Sequence, residues 1–188
     1  FLTGKPNSQK VEKIETRFES IKFYSLANGT TNVIMEDTRL TSGPIVSSTL
    51  LAFNINKNGD FSWIKHIPKK QENEDFSQKY TGYSYHLDGN KLSLVYMDNK
   101  NNYDSKTSML LPDKMLSIKN VKTATKNSNA MAMVTIDENG NIVHKLLADA
   151  GGYSCFSQDA VWTESGDEIY IVTIKKTFLL NVSKIKVK

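Results

Sequence analysis

Apolar and polar residues alternate with period two along most of this chain. The alternation is interrupted at short intervals by Asn-Gly, Asp-Gly or Ser-Gly. In "AFNINKNGDFSWI", Phe53 and Ile55 alternate with polar neighbours before Asn58-Gly59, and Phe61 and Trp63 alternate after it. "MVTIDENGNIVHKL" repeats the pattern 81 positions later around Asn139-Gly140, flanked by Val134, Ile136, Ile142 and His144. Alternation on both sides of such a dipeptide predicts a β-hairpin, and Asn-Gly suits a type I′ turn with positive φ at both central residues. Phe61, Leu94 and Ile142 are expected to point inward on the strands that follow the turns.

A second hairpin type lies between these two. "YSYHLDGNKLSLVYMD" turns at Asp88-Gly89 and "AVWTESGDEIYIVTI" at Ser165-Gly166, with Tyr85, Leu92 and Leu94 matching Trp162, Ile169 and Ile171 at an offset of 77. "KFYSLANGTTNVIMED" is a looser copy that turns at Asn28-Gly29. The two types alternate, which predicts a repeating unit of four antiparallel strands. Units run over about 19–70, 79–148 and 156–188 of a single region spanning 1–188, the last one strand short. Such periods in all-β sequence point to a β-propeller-like fold, here a partial ring of about three blades. Closed rings typically hold 4–8 blades. Completion is therefore expected from the rest of the same polypeptide or from other protein subunits, and residues 176–186 are expected to pair outside the third unit, with 11–18 as one source. The alternative is a single eleven-stranded barrel or sandwich. Two polar connections, 68–82 and an insertion at 98–127, are long enough to carry function.

Composition narrows the class. With 188 residues, 39% hydrophobic and 23% charged, the chain can bury a core and is not a disordered one. The net charge of +4 is carried by scattered lysines, with Arg17 and Arg39 the only arginines. That argues against nucleic-acid binding, which leans on clustered Arg. Cys155, alone in "GYSCFS", excludes an intrachain disulfide and reads as a buried thiol. No apolar run reaches the roughly 18 residues that span a bilayer. The first residue is Phe1 rather than Met, so the amino end reads as processed, truncated or unresolved, with room for a targeting segment lost with it.

Candidate chemistry is sparse. His66, His86 and His144 fall on or beside strands without a second ligand at metal spacing. No nucleophile elbow, P-loop or H-E-x-x-H occurs. "AGGYS" (150–154) reads as a tight turn. Tyr80, Tyr83, Tyr85, Tyr96 and Tyr103 cluster near the second unit, either as inter-blade packing or as a stacking platform for carbohydrate. "DNKNNYD" (98–104) is the segment with ligand chemistry. Asp98, Asn99, Asn101, Asn102 and Asp104 offer closely spaced oxygens of the kind Ca²⁺ takes, although the same residues favour turns through their own backbone. No other cofactor is implied.

The runs "LLAFNINKNGDFSWIKHIPKKQ", "YSYHLDGNKLSLVYMDNKNN" and "AMAMVTIDENGNI" resemble the carboxy-terminal half of a family of exported, propeller-like proteins of Bacteroidetes-type bacteria. The likeness covers roughly 45–188. It rests on "W-x-K-x-I-P-K-x-Q" at 63–71, on "VYMDNKNN", where Tyr96-Met97 replace the usual Phe and Asn, and on a "V-x-I-D-x-x-G" hairpin. The resemblance implies export to the periplasm or outer cell surface and assigns no catalytic residue. The expected function is a non-catalytic scaffold or binding propeller of the cell envelope that offers a protein-interaction surface. The alternative is a glycan-binding or glycan-active propeller whose site is completed from outside the chain, with Asp75, Asp104 and Asp159 as acidic candidates. A third reading is a free-standing barrel holding a small ligand.

Overall fold

The repeated hairpins form, but their turns differ from the type I′ expectation. In a computed structural model, which describes residues 18–40, 45–73, 81–115, 119, 121–122, 128–150, 153–155, 157–175 and 179–187, Gly59 N–H donates to Asn56 O at 3.0 Å and Gly59 has φ +90°. Gly140 N–H donates to Asp137 O at 3.0 Å, with φ +75°. Ser108 is the one described non-glycine residue with positive φ, so Asn58 and Asn139 stay out of the left-handed region. These are longer loops closed by a left-handed glycine, which suit the strand twist without straining the asparagines. A side-chain cap holds each one. Asn56 Oδ1 accepts from the N–H groups of Asn58 (2.9 Å) and Asp60 (3.0 Å), and Asp137 Oδ1 accepts from those of Asn139 (2.9 Å) and Asn141 (2.8 Å). Asp88-Gly89 is different: Asp88 pairs directly with Lys91 across a two-residue loop.

The class is all-β, built from antiparallel sheets. Sheet I places β1 (Phe18–Ser25), β2 (Thr31–Leu40) and β3 (Ile45–Ile55) side by side. The fourth position is shared by β4 (Phe61–Ile67) and the short β5 (Gln71–Asn73), which pair with successive parts of β3. Sheet II runs β6 (Ser84–Asp88), β7 (Lys91–Asn99), then, past a two-residue strand β8 (Val121–Lys122) that joins β5 in parallel, β9 (Asn129–Ile136) and β10 (Ile142–Asp149). In sheet III, β11 (Ser154–Cys155) and β12 (Val161–Trp162) share one edge of β13 (Glu168–Lys175), and β14 (Leu179–Lys186) takes the other. Among the described residues no sheet closes on itself, so the barrel alternative is set aside.

Sheet II is the middle layer, and this is why β7 is buried on both faces from Leu92 to Asn99. One face carries Leu92, Leu94, Tyr96, Ala132, Val134 and Ile136 against Ile34, Leu50, Ala52 and Ile67 of sheet I. The other carries Val95, Met97 and Met131 against Cys155, Ile169 and Ile171 of sheet III. The pairs at offset 77, Leu92/Ile169 and Leu94/Ile171, are all fully buried. Trp63 covers Gly140, where an added Cβ would lie 2.7 Å from the indole, and His86 stacks on Trp162 with centroids 5.1 Å apart.

Three expectations need correction or limits. Phe61 does not point inward and is 57% exposed, whereas Leu94 is fully buried and Ile142 packs against the core. Phe61 lies on the face of sheet I turned away from sheet II, and no described sheet covers it. Residues 179–186 pair with β13 of their own unit, while Phe18 opens β1 opposite Asp37. Residues 11–17 and Tyr80 lie outside the described residues.

Candidate binding site

The three sheets meet at a polar cavity of about 290 Å³. Sheet I supplies Ser20 and Lys22 from β1 with Glu36 and Thr38 from β2, the approach to β6 supplies Thr81 and Tyr83, and the turn before β12 supplies Gln158. The wall is built before any ligand arrives. The Lys22 ammonium lies 4.7 Å from the centroid of the Tyr83 ring, and Tyr24 O–H donates to Tyr83 Oη at 3.2 Å. Burial drives both phenols up, Tyr24 to about 12, so they stay neutral.

Behind this wall is a buried ionic cluster. Glu36 on β2 accepts from the Lys69 ammonium and from the Ser47 hydroxyl of β3, and Lys69 follows β4 in the connection to β5. Desolvation pushes Lys69 below its ordinary range, and the charge and hydrogen bond of Glu36 push it back. A serine beside a lysine could form a nucleophile–base pair. Here both are enclosed and the carboxylate engages both, which makes the trio a cross-link within sheet I. Gln71 performs the same service between sheets, donating to Met97 O and accepting from Gly82 N–H, each at 2.8 Å.

The Asp98–Asp104 segment divides in two. Asp98 is buried: Oδ1 accepts from Asn99 N–H (2.7 Å) and Asn102 Nδ2 (2.9 Å), and Oδ2 accepts from Tyr103 O–H (2.7 Å). Burial lifts this carboxyl to about 6 against those donors. Asn102 Oδ1 accepts from Lys119 N–H at 2.7 Å, and Asn99 Oδ1 accepts from Asn101 N–H at 3.0 Å. Asp104 instead caps its own turn, accepting from the N–H groups of Lys106 and Thr107. Asp98 and Asn102 are thus brought together and Asp104 is not, and a cation would have to compete with chain donors at each of these carboxylates. No group of three or more His, Cys, Asp or Glu among the described residues is arranged to hold a metal.

One further placement was not legible in the sequence. His144 is buried with no hydrogen-bond partner on either ring nitrogen among the described residues, and is depressed to about 4 by burial and by the charge of His66. Tyr83, Tyr96 and Tyr103 sit inside the joint between sheets I and II, while Tyr85 is half-exposed against Tyr24. Asp159 lies in the 3₁₀ turn Ser157–Asp159, remote in the chain from Asp104, and Asp75 is outside the described residues. No helix among the described residues is long and apolar enough to cross a membrane. Compared with known proteins, the chain matches no family model, and no curated protein matches it closely enough to count as a relative.

Proposed function

We propose that the chain is a sector of a β-propeller-like, non-catalytic scaffold of the bacterial cell envelope that presents surface to a protein assembly. The observation that carries this reading is the stack: sheet II is enclosed by two sheets of like build, through joints formed at matching hairpin tips. Asn28 and Asn90 meet where the tips of the second hairpin type adjoin, with Asn28 N–H donating to Asn90 Oδ1 at 2.8 Å. Trp63 Nε1 donates to Glu138 O at 3.1 Å where the tips of the first type adjoin. Tips that meet like to like continue a radial repeat and do not alternate as in a two-layer sandwich. Fractionation of producing cells with electron microscopy of the purified assembly tests the reading. Recovery from the envelope as a disc with radial sheets is expected; a cytoplasmic protein or a particle without such density would sink it.

A second reading is favoured by one feature, the cavity where all three sheets meet. A cation (Lys22), a carboxylate (Glu36) and hydroxyls (Ser20, Thr38, Thr81) around about 290 Å³ suit the hydroxyl-rich face of a single sugar unit. A glycan array probed with the wild type and Lys22→Ala decides: binding lost in the variant supports it, and an empty array removes it.

A further inference from the structure

The outward face of sheet I is apolar from edge to edge. Ile21 and Phe23 on β1 pair with Met35 and Val33 on β2, these with Leu51 and Phe53 on β3, and Phe53 in turn with Ile64 on β4. Phe23 is 68% exposed and Ile64 58%, a combination that a sheet face in water does not keep without reason. The repeat shows what the face is made for. Positions 81 apart equate Leu51, Phe53 and Ile55 with Ala132, Val134 and Ile136. Cross-strand pairing agrees, because Val33 faces Phe53 as Leu94 faces Val134, and Met35 faces Leu51 as Tyr96 faces Ala132. In sheet II those residues are fully buried, and what buries them is sheet I. The outward face of sheet I therefore has the pattern of a face that takes another sheet.

The other end of the stack holds the matching half. The outward face of sheet III carries Val161, Tyr170, Val172 and Val182, the last 70% exposed. At offset 77, Val172 equates with Val95, which sheet II turns toward sheet III. The Lys184–Glu168 ion pair, 2.9 Å, gives this face a polar rim. The two ends are thus the two different halves of one kind of joint, which is the condition for a heterologous, head-to-tail contact.

We propose that the outward face of sheet I binds sheet III of a second copy of this chain, so that two copies join head to tail and close one ring of six sheets. The proposal rests on the stacked-sheet reading above and names its partner. Six sheets fall within the 4–8 that close. Sheet III limits the joint to three strands' width, and strands about 4.8 Å apart and about seven residues long then give each joint roughly 650 Å² counted over both sides. The two joints of a closed pair then bury roughly 1,300 Å², within the roughly 1,200–2,000 Å² of a standard stable interface.

Light scattering on the full chain tests this, with Phe23→Asp, Val182→Asp and their equimolar mixture. The wild type is expected at the mass of two chains and each variant at the mass of one. The mixture is expected to regain part of the two-chain species, because one undamaged sheet I then meets one undamaged sheet III. A monomeric wild type, a Val182→Asp variant that stays dimeric, a mixture that stays monomeric, or open-ended polymers would each overturn it. Thiol labelling of Cys155 in the same samples separates this result from the reading beneath it. Protection in a monomer leaves the stack standing and removes only the second copy, whereas rapid labelling of the wild type removes the stack itself.

Discussion

Gly59 and Gly140 occupy the same place in the repeat, yet substitution separates them. Both have positive φ, where any L side chain is strained by about 1–2 kcal/mol. A Cβ at Gly59 meets nothing within 4 Å, while one at Gly140 meets the Trp63 indole at 2.7 Å. Gly140→Ala should therefore lower the urea midpoint by at least twice the drop caused by Gly59→Ala; equal drops would show that Trp63 does not seal the joint. A second pair of residues opposes one another in acid. His144 titrates near 4 in the fold against about 6.5 when unfolded, so its contribution is complete above pH 6.5 and is lost as pH falls toward 4. Asp98 is raised to about 6 from 3.8, so its ionised form weighs on the fold above pH 6 and that burden lifts as pH falls toward 4. The two slopes largely cancel. Urea midpoints should show the wild type losing its advantage over His144→Gln on acidification from pH 6.5 to 4, and gaining on Asp98→Asn over the same range. Parallel curves for all three proteins would dismiss both assignments.

Between residues and sheets, the buried Glu36–Lys69–Ser47 cluster ties β2 and β3 of sheet I to the connection that follows β4. Lys69→Met leaves Glu36 charged and enclosed, a change expected to remove about 3–5 kcal/mol of stability, and adding Glu36→Gln should restore part of it. If the double variant were no better than the single one in denaturant titrations, the charge would not be what the lysine answers. Nothing in the spacing announced this cluster. Lys69 stands in "IPKKQ", which reads as a solvated connection, and its partners lie 22 and 33 residues away on strands whose neighbourhood only the folded sheet defines. The hairpins were legible because turn and alternation are local. The direction of Phe61 was not: alternation says which residues share a face, never which face is covered. A bulge at Asn54/Ile55 adds to this by putting Ile64 outward and leaving Trp63 to face sheet II. A glutamate in the apolar strand "VIMED" was the one hint of a buried partner.

Across the whole molecule the two joints are unequal. Among the described residues, thirteen buried apolar side chains form the cluster between sheets I and II, and six form the one between II and III, where sheet III brings three strands' width. Sheet III is therefore the part that should open first. Cys155, whose thiol burial pushes up to about 12, lies in the weaker joint and reports it. Its labelling should proceed with a lower opening free energy than amide exchange in β7 measures, and identical values would mean that the stack opens only as one. The same layout sets an order in time. Each sheet is assembled mainly from neighbouring segments of chain, but sheet I, complete at residue 73 except for the two-residue β8, has its inner face fully covered only after β9 ends at residue 136, beyond the 98–127 insertion. At about 5–20 residues per second of synthesis, the nascent chain carries a finished sheet with a bare apolar face for several seconds. Shortening the insertion would shorten that wait. The segment that brings Tyr103 and β8 into the mature fold is thus also the clock that sets how long a chaperone has to hold it.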